Sequence, residues 1–289
     1  MPAVITHALV SEESAKKYPP NLLGAVRKNP DYFFLGSQGP DLFFFYRPLS
    51  RKEGNAGQFL HRFRVEDTFC YLLETLRGET DGVRYERMLA YAAGFVSHYC
   101  ADTIFHPVVY ALLKEDGGEL RHQQIENDWD VYFLRKYRGK ETEKLIFPFS
   151  TKKIIRDGDL YAFFSFLCEK LGRRKATKRK FASAIRLFSR YLNVFHGKCY
   201  LLQRRWEKTE RVFRIKPRLS RLYPRKTPSP DVLDGERFLN VSGGKNADEL
   251  FSVAVEQSAR LAGIFSDALV TGELPRGIFD KSYLTAQKM

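Results

Sequence analysis

Long apolar runs are missing from this sequence: its greasiest piece, residues 160–167, falls well short of the roughly 18 residues a bilayer crossing takes. The first seven residues, MPAVITH, lack the basic start, apolar stretch and small-residue cleavage site of a secretory leader. The expectation is a cytoplasmic protein, soluble or peripheral to a membrane. Cysteine is scarce as well. Cys70, Cys100, Cys168 and Cys199 stand singly with no CxxC pair, which suits reduced thiols better than a disulfide framework. No serine, Ser37 included, sits in a Gly-x-Ser-x-Gly setting, and there is no glycine-rich phosphate loop. Serine hydrolase and nucleotide-binding readings therefore fall away. Alternation of period two is almost absent too, which leaves little room for strands.

What is present is apolar spacing of three and four. A hydrophobic content of 44% in 289 residues suffices for a sizeable core, and the spacing predicts helices over about 6–18, 21–28, 64–77, 85–105, 123–138, 160–171, 178–194 and 198–213. Residues 33–57 read as an irregular stretch holding Gly39-Pro40-Asp41 and the aromatic run Phe43, Phe44, Phe45 and Tyr46. Those aromatics either line a cleft or anchor the loop in the core. Residues 215–244 are rich in Pro, Ser and Gly and read as a long surface connection. Asn246 with Glu249 resembles a capping box, opening a last helix to about 270 whose Leu250, Val253, Val255, Leu261 and Phe265 need a core to pack on. The prediction is one all-α domain over 1–289, with a ligand-bearing half at 1–140, a basic helical part at 150–226 and a packing helix at 246–271.

Charge is unevenly spread. The chain carries a net +14, yet residues 151–226 hold 23 Lys/Arg against 5 Asp/Glu, or +18, and the remainder sums to −4. Within this part, residues 204–225 interleave Trp206, Phe213 and Tyr223 with basic side chains. Such a segment attracts an anionic membrane or nucleic acid, unless it is an ordinary solvated basic face.

Histidine is rare, and its placement is the sharpest signal in the chain. Of six histidines, His98 and His106 flank Asp102 at spacings of four, so all three project from one face of a helix. Pro107 would clash with the Thr103 carbonyl in a continuing helix, which predicts a kink or end that turns His106 toward a second ion. One helix would then serve two metals. His122 and Glu126 repeat the spacing, an arrangement that presents nitrogen and oxygen to zinc. His196 has no histidine or carboxylate partner at helical spacing and reads as a helix-end residue.

In order, Thr6-His7, Gly39-Pro40-Asp41, His61, the His98/Asp102/His106 helix and His122/Glu126 resemble the ligands of the bacterial zinc-dependent phospholipases C. The single-strand nucleases of similar fold share a related pattern. The resemblance covers roughly residues 1–130 by motif. It implies an all-α multi-helix bundle, phospholipase C/zinc nuclease-like, with the metal cluster in a cleft. One zinc would be held by Asp41, His61, His98 and Asp102, another by His106, His122 and Glu126, and Asp102 would bridge to a third ligated by His7. Asp41 and Asp102 are the implied catalytic residues, Asp41 as general base. The secreted relatives complete the third site with an N-terminal tryptophan, whereas Met1-Pro2 stands here, so two zinc ions are expected and a third rests on His7 and a free Pro2 amine. The spacing from Asp102 to His106 is also shorter than in those enzymes.

The implied chemistry is attack of a zinc-bound hydroxide on a phospholipid or other phosphodiester. A nuclease or phosphatase using the same zinc cluster, and a metal-stabilised binding or membrane-surface module, are the alternatives. Mixed nitrogen and oxygen ligands would also suit iron or manganese.

Overall fold

The computed structural model describes residues 3–46, 56–115, 121–142, 146–173, 175–195, 200–214 and 223–288. Thirteen α-helices follow one another among them: α1 (Val4–Ala15), α2 (Pro20–Lys28), α3 (Pro30–Ser37), α4 (Ala56–Arg62), α5 (Val65–Arg77), α6 (Gly82–Glu115), α7 (His122–Arg138), α8 (Thr151–Asp157), α9 (Asp159–Lys170), α10 (Lys178–Phe195), α11 (Tyr200–Val212), α12 (Glu236–Val241) and α13 (Ala247–Thr271). Two 3-10 helices, Gly39–Phe45 and Pro230–Val232, lie between them. No strand occurs among the described residues, apart from a single bridge between Lys281 and Lys288. The protein is all-α.

Helix α6 is the axis of the bundle. Residues 88–103 are buried without interruption, as expected of a helix apolar nearly all round, and α1, α2, α3, α12 and α13 pack along it. The tightest crossing is with α3. A Cβ on Gly94 would lie 2.3 Å from the Phe33 carbonyl oxygen, and one on Gly36 would lie 2.1 Å from that of Tyr91. Both glycines are needed for two backbones to come this close. Helix α13 packs along α6 and α1. Its start carries the capping box read from the sequence: Glu249 N donates to Asn246 Oδ1 at 2.9 Å and Asn246 N to Glu249 Oε2 at 2.8 Å.

Four expectations are revised. Helix α6 does not stop near Phe105 but continues through Pro107 to Glu115. The lost hydrogen bond and ring clash of an internal proline cost about 3 kcal/mol; complete burial of Val109 and Leu112 beyond it offsets this at roughly 1.5–3 kcal/mol per side chain. The described parts of 33–57 are helical rather than irregular, and α8 precedes α9 where no helix was expected. Residues 223–244 are not a free surface connection. Arg225 forms a two-pronged pair with buried Asp128 on α7, at 3.1 and 2.6 Å. Trp129 Nε1 donates to the Val232 carbonyl at 2.6 Å, and α12 packs on α6. Residues 215–222, Cys199, His196 and Pro2 lie outside the described residues; Cys70, Cys100 and Cys168 form no disulfide among the described residues.

The aromatic run divides between its two readings. Phe43 is buried and stacks on Phe164 at 4.1 Å, and Tyr46 packs edge-on against the same ring. Phe44 instead lies against the His61 ring at 5.3 Å and lines a cleft.

Candidate metal centre

All eight residues singled out in the sequence fall into neighbouring clusters, and five of them, Asp41, His61, His106, His122 and Glu126, line that cleft. Their donor atoms fall into three groups, each within 4.8 Å: His7, His98 and Asp102; Asp41, His61 and His98; His106, His122 and Glu126. Helix α6 supplies three of them from one face, and its continuation past Pro107 leaves His106 on that same face.

The other ligand candidates are brought in by backbone geometry. Gly39 adopts φ +48°, and a Cβ on it would lie 2.2 Å from the His98 ring. Only glycine lets the 3-10 helix turn against that imidazole, and Asp41 follows two residues on, within the first turn. His7 is set by the docking of α1: Thr6 N and Oγ1 donate to Asp130 Oδ1 on α7 at 2.7 and 2.8 Å, and Gln38 Nε2 donates to the Val4 carbonyl at 3.2 Å.

Three imidazoles are oriented by main-chain carbonyls. The Nδ1 of His61 donates to Gly57 O at 2.7 Å, that of His98 to Ser37 O at 3.1 Å and that of His106 to Tyr283 O at 2.9 Å. In the neutral ring each bond fixes the tautomer whose Nε2 carries the lone pair, aimed inward, which is the usual way a metal-ligating histidine is held. His61 Nε2 is 3.1 Å from Asp41 Oδ1, His98 Nε2 is 3.2 Å from Asp102 Oδ2, and His106 Nε2 is 3.5 Å from Glu126 Oε1. His122 Nε2 approaches the same Glu126 oxygen at 2.8 Å. Asp102 is shared: Oδ1 faces His7 at 3.2 Å, while Oδ2 faces His98 and, at 3.5 Å, His61.

Electrostatically the groups are tightly interlocked. Burial would lower the His61 imidazole, but the Asp41 charge and the hydrogen bonds the protonated ring donates to Asp102 and Asp41 push it up to about 10. For His106, burial is likewise outweighed by Asp102 and Glu126, which raise it to about 9. Burial would raise Asp102 and Glu126, yet the surrounding histidines hold both well below the usual carboxylate range. His98 goes the other way, because burial dominates and lowers it.

The donor set fits divalent metal. Asp41 Oδ2, Asp102 Oδ2, Glu126 Oε2, His98 Nε2 and His7 Nδ1 are buried without a hydrogen bond of acceptable geometry. Buried polar atoms are seldom left so. Imidazole nitrogen with carboxylate oxygen is the mixture zinc accepts.

A family model described as zinc-dependent phospholipase C matches residues 6–170, more than half of the chain. The chain belongs to the zinc-dependent phospholipase C family. No curated protein and no solved structure gives a significant match. The matched span takes in every residue of the three clusters, and membership makes the protein a phospholipase C-like, zinc-dependent hydrolase by class. Among the described residues no helix is long and apolar enough to cross a membrane.

Several residues that shape this phospholipase C-type centre were not visible in the sequence. Asp130, one helical turn beyond Glu126 on α7, could have been found by extending the spacing of four. Tyr283 acts through its carbonyl, so its side-chain type carries no signal. Arg62 and Tyr110, which line the cleft beside the clusters, match no motif.

Proposed function

We propose that the protein hydrolyses phosphodiesters in the manner of a phospholipase C, with metal held by Asp41, His61, His98 and Asp102 on one side and by His106, His122 and Glu126 on the other. His7 with Asp102 would take a third ion. The observation that carries this reading is the grouping of all eight side chains into three donor sets, five of whose members line one cleft. Zinc bound there would supply Lewis acidity, lowering the pKa of water and screening the phosphoryl oxygens.

The chain's own residues do the rest. Carbonyls of Ser37, Gly57 and Tyr283 lock the imidazoles before substrate arrives, so no reorganisation is needed during reaction. Asp41 lines the cleft with its Oδ2 buried and unbonded, the position from which a carboxylate can accept a proton at the reacting centre. Phe44 and Tyr110 narrow the entrance beside it.

Peripheral contact with an anionic membrane, from the cytoplasmic side, is part of the proposal. Trp206, Val212 and Phe213, on and just after α11, are 39%, 65% and 69% exposed among the exposed Arg205, Lys208 and Arg211. Aromatic and aliphatic tips within a basic face suit a lipid interface. The chain folds on this reading as one domain, since α13 packs on the helix that carries the ligands.

The test is metal analysis of protein purified without chelator, with turnover measured on an aryl phosphodiester, a short-chain phospholipid and single-stranded nucleic acid. Two or three zinc ions per chain and lipid turnover are expected. Less than one ion per chain would sink the assignment, and preferential cleavage of nucleic acid would make the protein a nuclease.

A further inference from the structure

The cleft over the metal groups has a volume of about 300 Å³, at the small end of ligand sites and suited to one headgroup. Apart from candidate ligands it is lined by Phe44, Gln58, Arg62, Tyr110 and Leu284. Its free charge is of one sign. The two lining carboxylates are turned to imidazoles, Asp41 to His61 at 3.1 Å and Glu126 to His122 at 2.8 Å. Arg62, the last residue of α4 and next to His61, is exposed at the mouth and makes no ion pair among the described residues. Arg62 and Tyr110 of α6 line the same cleft, so the cavity is shared by both helices.

A guanidinium left without a carboxylate beside an anion-binding floor lacks the partner its geometry favours. Bound metal would add positive charge beneath it. A quaternary ammonium entering this space would meet like charge, and Phe44 and Tyr110 alone would have to compensate through their ring faces. A headgroup with a phosphate of its own would meet the missing partner.

Resting on the phosphodiesterase reading above, we propose that Arg62 is the headgroup-selecting residue of this cleft. The preferred substrates are diesters whose headgroup carries a further negative charge, and choline-headed lipids are disfavoured.

The experiment uses metal-loaded full-length protein and three short-chain lipids, phosphatidylinositol monophosphate, phosphatidylglycerol and phosphatidylcholine, with an aryl phosphodiester as common reference. The expected order of kcat/KM is inositol phosphate, glycerol, choline. Arg62→Gln should lower kcat/KM on the anionic headgroup by about tenfold, the scale of one charge-assisted hydrogen bond, through KM rather than kcat. The ratio of anionic to choline-headed turnover should fall toward one, and Arg62→Lys should restore it in part. Metal content should be the same in all variants, which separates selection from a disturbed site. Turnover of lipids with no dependence on headgroup charge, or an unchanged ratio in Arg62→Gln, overturns the assignment of Arg62 and leaves the hydrolase reading standing. No turnover of any diester by the metal-loaded protein overturns both.

Discussion

Asp102 concentrates more of the centre's electrostatics than any neighbour, since His7, His61, His98 and His106 all lie within 3.5 Å of its two oxygens. Asp102→Asn keeps the shape and removes the charge. It should cost roughly 100-fold or more in activity, beyond the 10–100-fold typical of outer-shell changes, and should lower bound metal by at least one ion per chain on elemental analysis. The same interlocking sets a pH dependence in chelator-stripped protein. His61 and His106 have values raised from 6.5 to about 10 and about 9, so their protonated forms stabilise the fold. That contribution is complete below about 6.5 and is lost as pH climbs through 9 to 10. Thermal melts in chelator should therefore show a falling Tm between about pH 7 and 10. A flat profile would remove the ion-pair account. At this scale legibility in the sequence follows how donors are carried. His98, Asp102, His106, His122 and Glu126 could be read because one helix turn separates neighbours. Asp41 and His61 sit on different short elements, and only resemblance to a family brought them in. The orienting carbonyls had no residue type to betray them.

Among the elements, α6 shows how far local rules reach. Its apolar spacing predicted a helix, and the burial of residues 88–103 bears that out, but the proline rule misplaced its end. Tertiary burial of Val108, Val109 and Leu112 overrode a local penalty, which no window of sequence reports. The α3–α6 crossing was equally hidden, because Gly36 and Gly94 gain meaning only when two backbones meet. Gly94→Ala should force α3 away from α6 and destabilise the protein by about 1–3 kcal/mol, readable as a lower urea midpoint. Since Ser37 at the end of α3 orients His98, the variant should lose metal affinity as well. Full stability in that variant would show the crossing to be looser than described.

Over the whole molecule, the segment after α13 matters more than its composition suggests. Phe279 stacks on Phe69 at 3.8 Å, Tyr283 is buried beside the His61 and His98 rings, and its carbonyl orients His106. Removing residues 278–289 should leave a helical protein by circular dichroism that binds about one metal ion fewer, with the loss at His106, His122 and Glu126. Unchanged metal content would mean that His106 needs no external support. The anchoring carbonyl lies 177 residues after the imidazole it holds. Synthesis runs from His7 toward Tyr283, and domains can begin to fold while still emerging. A partly made chain can thus display every candidate ligand and still lack the grip on His106. If the protein acts as proposed, full hydrolytic competence is expected only once residue 283 has been made and its carbonyl can hold His106.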